Sequence, residues 1–385
     1  MTARVCVLTA RGRGAIGSIA LYGQGAGRML AEVFRTAEGK KVDKFAAGRI
    51  YHGTLMNGAE SVDEVVVGCE REDFFAVCGH GNPILLGRIA GLFAEMGAEA
   101  QTAEEMLKQR LPAENMIEAE AHIERLKSAT VEGVKIIQAQ ISGGLIAAVK
   151  DWLEGFERIG AEEIRRQCGD ILRSSVIANR IIKGVRIVIA GPVNSGKSTL
   201  FNYYAGRAEA ITAGQAGTTR DWVSVAVKIG PLSAELIDTA GLGELEAGGN
   251  ADAEAQRRAR ELVRDADVVL FVTDGTGQPG RRVEIESDAP VIAVLNKSDL
   301  AAEPAARQVG GRFAEAVKIS ARTGEGIEDL NGAILRALGA ADFCLSGPAC
   351  FTQRQEEIVK QITEALQAEV MKDLIRQLLK GDGSV

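Results

Sequence analysis

The sequence predicts a multidomain α/β protein. It has a small α+β domain at the N-terminus, a helical domain, and, inserted into the helical one, a mostly parallel doubly wound sheet built on a P-loop. Three observations carry this reading. Short β-branched runs alternate with helical patterns over residues 1–97. Apolar residues then recur at helical spacing from about 100 to 182, and again after Gly347-Pro348. Between those helical stretches strands alternate with helices to about 339, and the first strand, Arg186-Ile-Val-Ile-Ala190, runs straight into Gly191-Pro-Val-Asn-Ser-Gly-Lys-Ser198.

In chain order, strands are expected at Arg4–Leu8, Gly17–Leu21, Gly48–Gly53, Val62–Gly68 and Phe74–Cys78, with helices at Gly27–Phe34 and Pro83–Met96. The first part of the helical domain, 98–182, shows Ile136, Ile137, Ile141, Leu145, Ile146, Val149 and Leu153 with acids and bases between them, the pattern of amphipathic helices. The inserted domain spans 183–340, and a segment at 348–380 carries one further helix from about Gln353 to Leu379. Along that helix Ile358, Ile362, Leu366, Val370, Leu374 and Leu378 form an apolar seam, which suits pairing with the helix that precedes the insertion.

With 385 residues, 46% hydrophobic and 25% charged, the chain is long enough for two or three domains with real cores. The apolar run near Met1 is too short for a signal peptide and no eighteen apolar residues run together, so a cytoplasmic protein without a membrane span is expected. Cys6, Cys69, Cys78, Cys168, Cys344 and Cys350 show no C-x-x-C pairing and the three histidines are scattered, which predicts buried thiols and no structural zinc. A formal charge of −7 excludes a bulk electrostatic nucleic-acid binder. Any RNA contact is therefore local, with the basic runs Arg35–Arg49 and Arg165–Arg186 as candidates.

The motifs after the P-loop choose the nucleotide. Within Asn194, Ser195, Gly196, Lys197, Ser198 and Thr199, the glycine lets backbone N–H groups face phosphate oxygens, Lys197 supplies a charge at the β/γ bridge, and Ser198 is left for Mg²⁺. Asp238-Thr239-Ala240-Gly241, Asn296-Lys297-Ser298-Asp299 and Ser320-Ala321-Arg322 each close a later strand at its carboxyl end, where doubly wound sheets bind ligands. The Asp299 carboxylate can accept from both N1–H and N2–H of guanine, and adenine offers no such donor pair. The nucleotide expected is therefore GTP. Asn296 is expected at the base edge, the Lys297 stem over the base face, and the Ser320-Ala321 N–H groups at the guanine carbonyl. Asp238 is expected on Mg²⁺ through water, with the Gly241 N–H at the γ-phosphate.

Gly191-Pro-Val-Asn-Ser-Gly-Lys-Ser198, Ala216-Gly-Thr-Thr-Arg-Asp221, Asp238-Thr-Ala-Gly-Leu242 and Ser320-Ala-Arg-Thr-Gly-Glu-Gly326 together resemble the tRNA modification GTPase family known as MnmE or TrmE. The likeness extends to Gly12-Arg-Gly-Ala-Ile-Gly17 and to Gly79-His-Gly-Asn82, and so over nearly the whole chain. The resemblance implies an N-terminal folate-binding domain, a helical domain and an inserted G domain. It also implies a homodimer that works with a flavoprotein partner of the MnmG type on the tRNA wobble uridine, with GTP turnover switched on by K⁺-dependent pairing of G domains. By the same resemblance K⁺ is held by Asn194, Thr218 and the carbonyls of Ala213 and Gln215, and Mg²⁺ by Ser198, Thr219 and Asp238. Lys197 is carried over as a catalytic residue. The family's catalytic glutamate after D-T-A-G-L falls on Asn250 when counted from Asp238 and on Asp252 when counted back from Asp267, with Glu254 close by, and these remain alternatives. Asp252 and Glu254 also suit a helix N-terminus.

The one-carbon site departs from the family. Its folate arginine falls on Ala20, its carboxylate before G-H-G on Ala76 and its lysine near Ala113. The C-terminal F-C-[IV]-G-K has no match in Leu379-Lys-Gly-Asp-Gly-Ser-Val385, and neither Cys344 nor Cys350 replaces it. The expectation is a GTPase that keeps GTP, Mg²⁺ and K⁺ and does not bind formyl-tetrahydrofolate. Two functions stay open at this point: GTP hydrolysis within wobble-uridine modification, or a GTP-dependent assembly or regulatory factor that has lost the modification chemistry.

Overall fold

The computed structural model describes residues 2–9, 12, 14–110, 113–207, 223–238, 253–274, 287–300 and 313–380, with backbone alone at 108–109, 253–256 and 258–259. The described residues fall into two compact units, one ending at 112 and the other beginning at 113.

The first unit contains β1 (Arg4–Val7), β2 (Ile16–Tyr22), α1 (Ala26–Val33), β3 (Phe34–Thr36), β4 (Arg49–Asn57), β5 (Glu60–Arg71), β6 (Phe74–His80), α2 (Pro83–Glu95), β7 (Glu99–Gln101) and α3 (Ala103–Arg110). Its seven strands order as β3-β4-β5-β6-β2-β1-β7, and only the β1/β7 pair is parallel. Period-two alternation decides which side chains meet the helices. Ile19, Leu21, Val65, Val67, Phe75 and Val77 point to one face and pack under Leu30 of α1 and Ile89 and Phe93 of α2. α2 begins where Asn82 caps it, accepting from the Ile84 N–H at 2.9 Å, with Pro83 in the first turn. On the opposite face Cys6, Ala20, Tyr22 and Phe74 are buried beneath Met106 of α3.

Thus β7 and α3, expected beyond the boundary at 97, belong to the first unit. The three-residue β7 leaves too short a pattern to read. It is held by its parallel register with β1 and by the Arg4–Glu99 ion pair at 3.2 Å.

The second unit begins with α4 (Met116–Lys127), α5 (Val131–Ser142), α6 (Gly144–Ile159) and α7 (Ala161–Lys183). Asn115 caps α4 and Thr130 caps α5 through side-chain oxygens that accept from Glu118 and Gly133 N–H groups. Then come β8 (Val185–Ala190), α8 (Lys197–Ala205), β9 (Val223–Ile229), β10 (Leu232–Asp238), α9 (Ala253–Arg264), β11 (Val268–Asp274), β12 (Val291–Asn296), β13 (Glu315–Lys318) and α10 (Ile327–Ala337). The six-stranded sheet orders as β13-β12-β11-β8-β10-β9 and is parallel except for β9 against β10. Its central strands are buried on both faces, so β8, β11 and β12 read as continuous apolar runs.

The chain returns through α11 (Gln353–Glu364) and α12 (Ala368–Lys380). α11 packs on α7, the helix that leads into the sheet, and Asn179 of α7 donates to Cys350 O at 3.0 Å and Glu356 Oε1 at 2.9 Å. The single helix expected here is two. Ala365 is extended at φ −63, ψ 122, and its carbonyl accepts from Arg165 at 2.7 Å. That break resets the helical phase, so Leu366 and Val370 leave the seam and are exposed, 92% and 48%, while Met371, Ile375 and Leu378 face inward. Ile358 and Ile362 are buried as expected, and Leu374 is partly buried.

Candidate functional site

The carboxyl ends of β8, β10, β11 and β12 converge on the P-loop. Ile187, Val188, Ile189 and Ala190 are fully buried, so β8 delivers Gly191 at a fixed place. Gly191 has φ +136, and a Cβ there would lie 2.1 Å from Val272 O, which leaves glycine as the residue that fits. Gly196 has φ +96 and the same crowding against Asn296 Nδ2, also at 2.1 Å. The exposed Asn194 between them takes φ +60. α8 starts at Lys197, so its first-turn N–H groups and positive dipole end open onto the loop.

Lys197 Nζ donates to Gly191 O and Pro192 O, both at 2.8 Å, folded across the loop mouth. Ser198 Oγ donates to Asp238 Oδ2 at 2.9 Å, and Asp238, at the end of β10, is buried. A hydroxyl and a carboxylate already in contact, beside a helix N-terminus, form a donor set that suits a magnesium ion carrying phosphate oxygens. Ser195 is buried with an Oγ that has no partner among the described residues. The glycine cradle and that orphaned hydroxyl fit a phosphate chain. Thr199 is exposed in the first turn of α8.

Residues expected at the base site are engaged with one another. Asn296 ties two loops of the site together. It is buried, its Nδ2 donates to Ser195 O at 2.9 Å, and its Oδ1 accepts from the Ala321 N–H at 2.9 Å. It braces the P-loop to the loop after β13. The Ala321 N–H is therefore engaged, and the Ser320 N–H donates to Glu325 O at 3.0 Å. Both residues are buried, and Arg322 beside them is exposed. Lys297 has φ +64, and its Nζ lies 2.6 Å from Asp274 Oδ2. Asp274 was missing from the sequence reading, because one aspartate after a strand looks like any turn residue. Asp299 is exposed in the turn after β12.

Other expected residues lie outside the described ones: Ala213, Gln215, Thr218, Thr219, Thr239, Ala240, Gly241, Asn250 and Asp252. Glu254 is described by its backbone alone, in the first turn of α9.

The basic runs are largely engaged. Arg166 pairs with Glu163 and Asp170, Arg173 with Asp170 and Arg186 with Glu235, while Arg180 donates to Leu338 O. In the earlier run Arg35 donates to backbone carbonyls, Lys40 pairs with Glu38 and Lys44 with Glu72. Among the described residues no helix is long and apolar enough to cross a membrane.

Residues 186–297 match the family model described as 50S ribosome-binding GTPase. The chain is 28% identical to the tRNA modification GTPase MnmE of Koribacter versatilis, over 94% of this chain and 88% of that protein. It is 29% identical to the MnmE of Desulfotalea psychrophila, over 87% and 81%. Against the MnmE of Halorhodospira halophila the identity is 36%, over 44% of this chain and 38% of that one. The solved structure of Aquifex aeolicus Era with GDP and aluminium fluoride is 26% identical over 48% of this chain and 68% of its own, with a TM-score of 0.33. A P-loop with its magnesium pair in place, inside a matched GTPase domain, makes the chain a GTP-hydrolysing enzyme. By its motifs and by the extent of these matches, the chain is similar over most of its length to the MnmE tRNA modification GTPases and carries their GTPase domain.

Proposed function

We propose that this GTPase is stimulated by K⁺, pairs through its G domains as a homodimer, and acts in modification of the tRNA wobble uridine. The observation that carries the cation reading is Asn194, exposed at the rim of the P-loop in a left-handed conformation that an L-residue adopts at a cost. A K⁺ held there by Asn194, Thr218 and the carbonyls of Ala213 and Gln215 offsets charge developing on the phosphates, the task an arginine finger does elsewhere. Thr219 joins Ser198 and Asp238 on Mg²⁺, and Asp252, with Glu254 and Asn250 as alternatives, orients the attacking water. Asp299 reads the guanine edge. The proposed domains are 1–97 with the strand and helix that follow, a helical domain from both flanks, and the G domain at 183–340. A flavoprotein of the MnmG type is the proposed partner in the cytoplasm, with tRNA held locally.

Turnover measured in equimolar KCl and NaCl tests the cation. Wild type should be faster in KCl, and Asn194→Ala should remove the difference. Equal turnover in both salts, with pairing confirmed independently, would sink the K⁺ site. Wobble-uridine modification measured in cells lacking the chain tests the pathway, and an unchanged modification level would remove it.

One observation favours the second reading, a GTP-dependent assembly or regulatory factor. Ala20, where the family's folate arginine is expected, is fully buried under Met106 with Cys6, Tyr22 and Phe74, and it pairs across the strands with Ala76. Neither side chain can donate or accept a hydrogen bond. Each lost contact costs about 1 kcal/mol or more, so formyl-tetrahydrofolate should bind no tighter than roughly millimolar. A calorimetric titration giving micromolar affinity would restore the full modification chemistry.

A further inference from the structure

Guanine offers a protein an edge and a face. The edge reader, Asp299, stands exposed in a turn and needs no scaffold beyond it. The face is harder to cover with lysine, whose four-carbon stem has many rotamers and lies along a flat ring only if its ammonium is held.

Asp274 ends β11, and in the parallel register of β11 with β12 it lies opposite Asn296, the residue before Lys297. Its Oδ2 is 2.6 Å from Lys297 Nζ, with both side chains about one third exposed. The backbone of Lys297 is fixed as well. It sits at φ +64, its carbonyl accepts from the Leu300 N–H at 3.0 Å, and the next N–H, that of Ser298, donates to Ile319 O at 3.0 Å. Root and tip are thus both pinned, and the apolar stem runs between them.

We propose that Asp274 is a positioning residue for the nucleotide. By anchoring the Lys297 ammonium before the nucleotide arrives, it holds the lysine stem as a preformed wall for one face of the guanine ring. This rests on the guanine-nucleotide reading of the site. A partly exposed ion pair adds little by Coulomb attraction. Its contribution is that the stem no longer has to be ordered on binding. A wall of methylenes cannot tell guanine from hypoxanthine, which lacks the 2-amino group, whereas Asp299 can. The two residues therefore predict different selectivity.

Affinities of the full chain for GDP and IDP, measured by calorimetry on wild type, Asp274→Asn, Lys297→Ala and the double variant, test this. Asp274→Asn should weaken GDP and IDP by the same factor, about three- to tenfold. The double variant should bind no more weakly than Lys297→Ala alone, because Asp274 acts through the lysine. Should Asp274→Asn fail to fold, Lys297→Met keeps the stem and removes only its anchored end, and it should give the same equal loss for both nucleotides. Wild-type affinity in Asp274→Asn, additive losses in the double variant, or a loss confined to GDP would overturn the proposal. A wild-type chain that does not bind GDP would instead bring down the guanine reading together with it.

Discussion

In the proposed site the Asp299 carboxylate offers two acceptors to two guanine donors, and selectivity would rest on that match. Asp299→Asn turns one acceptor into a donor against a donor. The expected loss for GTP is about 1–3 kcal/mol, with xanthine nucleotide gaining; competition binding with GTP and XTP reads both, and unchanged GTP affinity would contradict the assignment. A second residue-scale prediction concerns the first unit. Asp63 is buried on β5, and its carboxylate accepts from the His80 N–H at 2.9 Å and lies 2.6 Å from His80 Nδ1. The hydrogen bond to Asp63, and then its charge, raise the His80 pKa above 6.5. A raised folded-state value means that the pair stabilises the unit fully below the unfolded pKa, and that this contribution fades as pH rises through the folded one. An NMR titration should show His80 above its ordinary range, with Asp63→Asn bringing it back. The gathering of side chains at the P-loop was legible where a motif names them, as at Lys197, Ser198 and Asp238. The bracing of Asn296 against Ser195 O and the Ala321 N–H was not, because a sequence lists donors and acceptors but not which of three converging loops will claim them.

Elements meet most consequentially at the helix C-terminus of α12. Arg354 of α11 makes a two-pronged bond to Glu120 of α4, at 2.6 and 2.9 Å, and donates to Gln377 O and Leu378 O, each at 3.2 Å. Gln355 adds a bond to the same carboxylate at 2.7 Å. One guanidinium thereby joins three helices and satisfies carbonyls that α12 leaves open at its end. Arg354→Met should lower the urea midpoint of the second unit by an amount equivalent to about 2–3 kcal/mol, because Glu120 keeps its charge in a half-buried place. A shift below a few tenths would show the network to be dispensable. At this scale the strands and helices of the sheet were readable because buried parallel strands are apolar throughout and end in turn chemistry. The α11–α12 break was not, since Ala365-Leu366-Gln367 contains neither glycine nor proline and the apolar spacing runs on through it.

For the whole molecule, each unit has its own core: Ile19, Leu21, Leu30 and Phe93 in the first, and Trp152, Ile171, Ile187 and Ile358 among many in the second. Residues 113–385 alone should therefore fold cooperatively and bind GDP within about twofold of the full chain; an unfolded fragment by circular dichroism would contradict that independence. The boundary at 97 missed β7 and α3 because their place depends on pairing with β1 and covering Tyr22 and Phe74, relations that local periodicity does not encode.

The packing of α11 on α7 also sets a timetable for synthesis. Some 170 residues separate Lys183 from Gln353, so at ordinary elongation rates roughly ten to thirty seconds pass between release of α7 from the ribosome and arrival of its partner. Throughout that interval the Cys168–Ile171 face of α7 lacks the helix that will cover it, while the GTP-binding sheet in between is already complete in sequence. Nascent chains stalled so that residue 345 has just left the ribosome should accordingly bind guanine nucleotide and yet be captured by chaperones that recognise apolar helices, and release of the full chain should end that capture.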